Sequence, residues 1–316
     1  TESGDREFDP YLSFRELFMS GNHAEVIFAT HKSGDWQWGY DKRCNPKNGG
    51  YSMQNATQNI VDAFLTRDGL DINDDENYSE EGFAQKDDPD EYGKVRNEIN
   101  RGYRKGESNM YVDREPRFYA SIIYNGATWK EKTIYTYVDA ENGFAAYRDN
   151  MNPGEKQTVT GYFIRKYLQE NNTEFDDKGS DQFWIEMRYA EVLLNLAEAL
   201  AEQDYAKNQD DALEALNEVR RRVDLPDRTT QEAPDKDSFM KLLRKERICE
   251  LAFEGFRYWD LRRWRLAGEV IDGKQAHGTK ITKKDDNSYT YEQVSCDDNI
   301  NRFFPERYYL LPIPVD

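Results

Sequence analysis

The stretch of sequence that decides the fold is residues 246–264, which read ERICELAFEGFRYWDLRRW. Apolar residues recur there every three or four positions among acids and arginines, the spacing of an α-helix with one buried face. Asp237 stands at the N-cap position of this helix, which we predict to run from Ser238 to Trp264. Gly255 interrupts the pattern and predicts a bend or a break.

The charged residues of this stretch indicate a structural role. Glu250 and Glu254 lie one helical turn apart, Arg247 is three residues before Glu250, and Arg257 is three residues after Glu254. Such spacing predicts ion pairs that hold the helix against its neighbours, and arginine is the usual cation of partly buried pairs. No nucleophile or metal ligand accompanies these residues, so we interpret them as structural.

Two further helices precede this stretch. Apolar residues fall at helical spacing over residues 182–201, and Asp210 or Asp211 caps a second helix that ends at Val223. The two helices, taken as antiparallel with small residues at their contact, are similar to one tetratricopeptide unit. These small residues are Ala197, Ala201, Ala212 and Ala215.

A single unit of this kind cannot bury its own apolar face, because such repeats gain stability by stacking on neighbours. We therefore expect the face around Tyr189, Leu193, Leu196 and Leu200 to be partly uncovered. The predicted fold class is mostly α, with tetratricopeptide-type helices packed against a loop-rich region that contains a few short strands.

The first part of the chain holds short elements. Residues 9–10, Asp-Pro, predict the cap and the first position of a helix. Residues 25–29 have the composition of a strand, and residues 57–65 predict a second short helix.

The middle of the chain is irregular. Residues 66–116 are polar, acidic and loop-like. Two strand-like runs within residues 117–138 flank Asn125 and Gly126, a dipeptide typical of hairpin turns. We therefore predict a hairpin at this point.

Composition narrows the classes of function. The 316 residues carry 43 Lys and Arg against 61 Asp and Glu, a formal net charge of −18. Such a chain repels nucleic-acid phosphates and anionic membrane surfaces. Aromatic residues make up 14% of it, whereas disordered acidic chains are poor in aromatics. We therefore expect a folded protein that binds no nucleic acid.

Motifs of common enzymes and metal sites are absent. The sequence has no nucleophile elbow, zinc-protease helix, phosphate-binding loop or dinucleotide fingerprint. Its three histidines show no ligand spacing, and its three cysteines define no disulfide framework. Asp71, Asn73 and Asp75 alternate like the start of a calcium loop, but Gly82 stands where that loop needs a glutamate. We expect no catalytic residue, cofactor or metal site, although a looser calcium site at this loop stays open.

One loop has the composition of a ligand site. Trp36, Trp38 and Tyr40 alternate, so in an extended segment the three rings point to one side, with Asp35 and Gln37 beside them. Rings that stack on sugar faces, together with polar groups that bind hydroxyls, are the usual mix of a carbohydrate site. The alternative, that the tryptophans anchor a long loop, stays open. Further candidates are Asn45 and Asn48 as polar partners, and Tyr78, Tyr124 and Trp129 as rings.

Several segments of the chain resemble the SusD/RagB family. The best match is the stretch quoted first, and the other matches include two helices and a closing strand. In the family's order, the matching segments are residues 57–64, 114–119, 188–199, 215–222, 246–264 and 309–314.

The resemblance implies a single SusD/RagB-like domain over residues 1–316 that lacks the N-terminal helical half of longer family members. Within it, we assign residues 25–140 to a loop-rich excursion that binds ligand, residues 182–265 to the helical core and residues 266–316 to C-terminal strands and loops. Ligand-stacking aromatics in this family come from variable loops in the general region of Trp36, Trp38 and Tyr40.

The resemblance also implies a function. It indicates a non-enzymatic protein on the cell surface, held at the outer membrane by an N-terminal lipid outside this sequence. Such a protein captures oligosaccharide and delivers it to a SusC-like, TonB-dependent transporter. A RagB-like protein that binds peptides is the alternative within the family. Two other classes remain: a tetratricopeptide adaptor, which would show tandem repeats of about 34 residues, and a helical glycoside hydrolase.

Overall fold

Helices dominate the described part of the chain. The computed structural model describes residues 8–19, 21–32, 40–46, 52–88, 102–129, 132–137, 158–169, 182–286, 288–296 and 299–310. The helices are α1 (Pro10–Arg15), α2 (Tyr40–Cys44), α3 (Gln58–Ala63), α4 (Pro116–Ser121), α5 (Tyr189–Arg221), α6 (Lys236–Glu250), α7 (Phe256–Arg263) and α8 (Ala267–Val270).

The strands of the described residues form four separate antiparallel pairs. They are β1 (Val26–Lys32), β2 (Ile122–Ile123), β3 (Thr128–Trp129), β4 (Lys132–Thr133), β5 (Phe163–Ile164), β6 (Gln182–Arg188), β7 (His277–Lys283) and β8 (Tyr289–Ser295). Strand β1 pairs with β6, β2 with β5, β3 with β4, and β7 with β8. The mostly helical class with a few short strands is thus confirmed.

The first helix begins as its sequence predicts. The Asp9 side chain accepts a hydrogen bond of 2.9 Å from the backbone nitrogen of Leu12, and Pro10 occupies the first helical position. A helix N-terminus leaves backbone N–H groups without partners, so a carboxylate at the cap satisfies one of them. The strand predicted at residues 25–29 and the helix predicted at residues 57–65 are also present, as β1 and α3.

The helix predicted over residues 182–201 begins later than expected. Residues 182–188 form strand β6, which pairs with β1, and the helix starts at Tyr189. Phe183 and Ile185 are buried whereas Trp184 is half-buried and Glu186 is exposed, because alternate residues of a strand point to opposite faces. Apolar residues four positions apart fit a helix equally well over so short a window, which explains the wrong prediction.

Helix α5 is a helical pair folded at a kink. Asp204 and Asn208 have non-helical backbone angles, and the Asn208 amide donates to the carbonyl of Leu200 at 3.1 Å. The side chains of Tyr189 and Glu218 are close enough to interact electrostatically, although a straight helix would hold the two residues roughly 43 Å apart. The two halves therefore run antiparallel, as predicted. Their contact contains the buried Ala197, Ala201, Ala212 and Ala215.

One face of this pair is partly open. Tyr189 and Leu196 are each 47% exposed, and Leu200 is half-buried. Leu193, which we expected on the open face, is instead buried in the core between α5 and α6.

The third predicted helix is divided at Gly255, as its sequence indicates. Gly255 has φ +88°, a left-handed conformation, and separates α6 from α7. Its lack of a Cβ allows this turn without steric cost. The cap of α6 is Asp235 rather than Asp237, because the Asp235 carboxylate accepts from the Ser238 backbone nitrogen at 2.8 Å.

The hairpin predicted around Asn125 and Gly126 is wrong in its pairing. Pro116 opens helix α4, which takes up most of the first strand-like run. The two residues left as β2 pair with β5 from much later in the chain, while β3 pairs with β4. Long-range pairing therefore overrides the local turn signal.

A buried charge network joins α6 to the elements around it. We use this name for Arg117, Lys166, Arg188, Glu246, Glu250 and Glu254, whose side chains are all at most 2% exposed. The Glu250 carboxylate accepts from Arg117 at 3.0 Å and from Arg188 at 2.6 Å. Glu254 accepts from Lys166 at 2.7 Å and from Arg188 at 2.6 Å. Each buried carboxylate is therefore matched by cations.

The charged residues of this stretch do not pair with one another as their spacing in the sequence suggested. Arg247 binds Asp260 of α7, with Nε and Oδ2 2.9 Å apart, rather than Glu250. Arg257 has no ion-pair partner among the described residues. The glutamates of α6 pair with cations from α4 and β6, so they hold the helix to its neighbours.

Candidate functional site

Most of the predicted aromatic loop lies outside the described residues. Trp36, Trp38, Asp35 and Gln37 belong to that part of the chain. Tyr40, the first residue of α2, is half-buried, and its ring lies 5.8 Å from those of Tyr167 and Trp184.

The other predicted candidates divide between core and surface. Tyr124 is 1% exposed and Trp129 is fully buried, so neither ring is available to a ligand. The buried Asn45 accepts a hydrogen bond of 3.3 Å from the Trp129 indole nitrogen, which makes it a structural residue, and Asn48 lies outside the described residues. Tyr78 is half-buried and lines a cleft.

This cleft, which we call the polar cleft, has a volume of about 480 Å³. It lies in the loop region after α3, which we assigned to ligand binding. One aromatic ring and many hydrogen-bonding groups line it. The lining residues are Thr66, Arg67, Asp68, Asp75, Asn77, Tyr78, Ser79, Asn109, Val112 and Asp113.

Hydrogen bonds of the backbone and of short polar side chains hold the walls of the polar cleft together. The nitrogen of Arg67 donates to the carbonyl of Asp113 at 2.7 Å, which joins the two ends of the loop region. The Asp75 carboxylate accepts from the backbone nitrogen of Asn77 at 2.9 Å, forming a turn that presents Asn77 and Tyr78. The Asn109 amide donates to the carbonyl of Glu81 at 2.6 Å. Short polar side chains thus build this wall locally.

The charged groups of the polar cleft are oriented by a buried acid. Arg67 is 34% exposed and contacts the fully buried side chain of Asp88 at 2.8 Å. Burial alone would lower the pKa of Arg67, but the charge and hydrogen bond of Asp88 outweigh it, so the pKa is raised. The guanidinium is therefore a fixed cation in the cleft. Asp113, 59% exposed, lies 3.8 Å from it.

The ring of Tyr78 is also held in place. Its hydroxyl donates to the carbonyl of Met110 at 3.4 Å, and the guanidinium of Arg114 lies 5.6 Å from its centroid. Burial raises the pKa of Tyr78 to about 12, so the hydroxyl is neutral at physiological pH. A fixed ring beside amide, carboxylate and guanidinium groups can stack on a sugar ring and bind its hydroxyls.

The sequence had identified only part of this site. Tyr78 was a candidate ring, but Arg67, Asn77, Asn109 and Asp113 were not recognised. These residues lie in two segments that the chain brings together over long distance, and polar residues in an acidic loop carry no pattern that separates binding groups from solvated ones. Asp75 and Asn77 are residues typical of turns, and this signal could have been noticed.

The calcium-like loop has internal partners. Asp71 contacts Lys245 at 2.6 Å and accepts from the side chain of Asn73 at 3.0 Å. No group of three or more His, Cys, Asp or Glu side chains within the described residues is arranged to hold a metal ion. In the same part of the chain, no helix has both the length and the apolar composition that crossing a membrane requires.

The structure thus combines a tetratricopeptide-type helical pair, packed on α6, with a loop region that carries the polar cleft. The chain matches the SusD family over residues 19–316. It belongs to that family, and the resemblance inferred from the sequence is confirmed.

Relatives and solved structures agree with this assignment. The chain is 30% identical over 169 residues to a SusD-like protein of Formosa agariphila, which covers 51% of this chain and 31% of the relative. A second SusD-like protein of that species is 37% identical over 114 residues, which covers 34% of this chain and 22% of the relative. The chain thus spans less than a third of each curated relative.

Two solved structures from Bacteroides fragilis share the fold. One is a SusD-like protein with a TM-score of 0.67 and 25% identity, over 96% of this chain and 54% of the other. The second is a SusD-like carbohydrate binding protein with a TM-score of 0.65 and 26% identity, over 98% of this chain and 56% of the other. The chain spans about half the length of each.

Proposed function

We propose that this chain is the binding component of a glycan uptake system. It captures oligosaccharide outside the cell and delivers it to a SusC-like, TonB-dependent outer-membrane transporter, while a lipid anchor holds it at the outer membrane. The observation that carries the proposal is the polar cleft, in which Tyr78, Asn77, Asn109 and Arg67 line one cavity. Oligosaccharides need this combination of a flat apolar surface and oriented polar groups.

Two further observations support the proposal. The chain belongs to the SusD family, and one structure that shares its fold is described as a carbohydrate binding protein. We assign binding rather than cleavage to the polar cleft, because the chain belongs to the SusD family and that structure is described as a binding protein. The transporter and the anchor are proposed from family membership.

We expect the change Asn77→Ala to weaken oligosaccharide binding about threefold to tenfold. Asn77 is exposed, and none of the described residues hydrogen-bonds its side-chain amide. A hydrogen bond to a ligand hydroxyl contributes about 0.5–1.5 kcal/mol, and its loss should leave the melting temperature unchanged. Calorimetric titration with a panel of neutral oligosaccharides, beside a thermal melt, measures both quantities.

Tyr78→Ala extends this test, with Tyr308→Ala as its matched control. Tyr308 is 44% exposed and lies outside the polar cleft, so its loss removes a ring without touching the site. Equal affinity of the wild type, Asn77→Ala and Tyr78→Ala for every glycan bound would show that the polar cleft is not the site. If the two cleft variants lost the binding of peptides rather than of glycans, the result would support the RagB-like alternative.

The aromatic loop is the second part of the proposed ligand surface. We expect Trp36→Ala and Trp38→Ala each to weaken binding roughly fivefold to tenfold, because stacking on a ring contributes on the order of 1 kcal/mol. The double variant should nearly abolish binding of a weak ligand, and the melting temperature should not change. A lowered melting temperature with unchanged affinity would assign the two tryptophans to loop anchoring.

A further inference from the structure

A second and larger cleft lies beside α7, on the helical part of the fold. Its volume is about 760 Å³, within the range of small-molecule sites in proteins. Its floor is aliphatic and consists of Ile60 of α3, Ile248 of α6, and Leu251, Leu261 and Ile271. None of the residues that line the polar cleft belongs to it. We call it the helical cleft.

The rim of the helical cleft carries two cations that form no ion pair with the described residues. Among the described residues, no carboxylate forms an ion pair with Arg257 or Lys274, and both side chains are exposed. The nearby Asp260 is already bound by Arg247 at 2.9 Å and by Arg263 at 2.8 Å. In a chain with a net charge of −18, Arg257 and Lys274 attract an anion to this cleft, and the one exposed carboxylate among the lining residues, Glu269, opposes them.

The same rim presents an aromatic ring and amide groups. Tyr258 is 46% exposed, and the guanidinium of Arg262 lies 5.0 Å from its centroid on the ring face. Asn59 accepts from the backbone nitrogen of His277 at 2.8 Å through its amide oxygen, which leaves the amide nitrogen free among the described residues. Gln275 donates through its amide nitrogen and keeps an acceptor oxygen.

We infer that the helical cleft binds an acidic oligosaccharide through its uronate groups, an inference that rests on the proposed role in glycan capture. A uronic acid has an apolar ring face for Tyr258 and the aliphatic floor, hydroxyls for Asn59 and Gln275, and a carboxylate for Arg257 and Lys274. A neutral sugar would leave both cations without a partner. A fatty acid would leave the amides of the rim unused.

Calorimetric titration of the 316-residue chain with trigalacturonate, maltotriose and octanoate tests this inference. We expect trigalacturonate to bind more tightly than maltotriose at this cleft. Arg257→Gln and Lys274→Gln should each weaken trigalacturonate binding about tenfold, because hydrogen bonds to charged groups are the stronger kind. Added salt should weaken binding to the wild type more than to the double variant. Arg307→Gln is the matched control, since Arg307 is exposed and lies outside the cleft.

Three outcomes would overturn the inference. One is unchanged trigalacturonate affinity in both cation variants, and a second is binding of octanoate without binding of trigalacturonate. The third is that Asn77→Ala loses trigalacturonate binding while Arg257→Gln keeps it. That result would place the uronate ligand in the polar cleft and would leave the proposed function standing. The proposed function is tested separately, by comparing the affinities of the wild type and of Asn77→Ala for neutral oligosaccharides.

Discussion

Replacing Glu250 by glutamine is expected to lower the free energy of unfolding by about 3 kcal/mol or more. The Glu250 side chain is fully buried and contacts Arg117 at 3.0 Å, Arg188 at 2.6 Å and Arg222. The amide of a glutamine at this position would carry no charge, and three arginines would lose a shared counter-ion. Removing one partner of a buried ion pair costs roughly 3–5 kcal/mol, because an uncompensated buried charge remains. Equilibrium unfolding in urea measures the difference.

The matched control is Glu214→Gln. Glu214 also pairs with an arginine, at 2.6 Å from Arg221, but its side chain is 62% exposed. Water screens such a pair, so its loss should change stability by less than about 1 kcal/mol. Equal effects of the two substitutions would contradict the assignment of a structural role to the buried charge network.

The same residue predicts how stability depends on pH. Burial alone would raise the pKa of Glu250, but Arg222, Arg188 and Arg117 hold it well below its usual range. The folded state therefore binds fewer protons than the unfolded state, and the stabilisation is present above the pKa of a free glutamate, about 4.3. It is lost as pH falls from there through the folded-state pKa. Wild-type stability should fall in this acid range, and that of Glu250→Gln should fall less.

The second large effect is expected for Gly161→Ala, which should lower the free energy of unfolding by about 3 kcal/mol. Gly161 has φ +84°, and a Cβ built on it overlaps the backbone carbonyl oxygen of Thr279. The neighbouring hydrogen bond, from the nitrogen of Thr279 to the carbonyl of Thr160 at 2.9 Å, holds β7 against this segment. A left-handed conformation and a backbone overlap each cost about 1–3 kcal/mol. Thermal and urea unfolding of the purified variant give the value.

Gly106→Ala separates the two causes. Gly106 has φ +88°, but a Cβ at this position meets no atom within 4 Å. Its substitution should therefore cost only the conformational strain, about 1 kcal/mol. If Gly161→Ala were no more destabilising than Gly106→Ala, the close approach of β7 would not constrain residue 161.

The local elements that the sequence predicted correctly have short-range causes. The Asp9 cap, the alanines of α5 and the break at Gly255 depend on residues a few positions apart, so their pattern can be read without the fold. The start of α5 and the pairing of β2 were wrong because strands β1 and β5, far away in the sequence, decided them. The same holds for the candidate site. The sequence identified Tyr78 as a candidate ring, whereas Arg67 and Asp113 are brought together only by the fold.

By itself, the sequence determined the family, the mostly helical class and the helical pair, because periodic spacing and family motifs are properties of contiguous residues. Tertiary structure alone decided which charges pair. Arg247 pairs with Asp260 rather than with Glu250, which is nearer in the sequence, and Glu250 pairs with arginines of α4 and β6. A buried carboxylate must be satisfied by whichever cations the packing brings to it. The packing likewise left Arg257 and Lys274 without an ion pair to any described residue at the rim of the helical cleft.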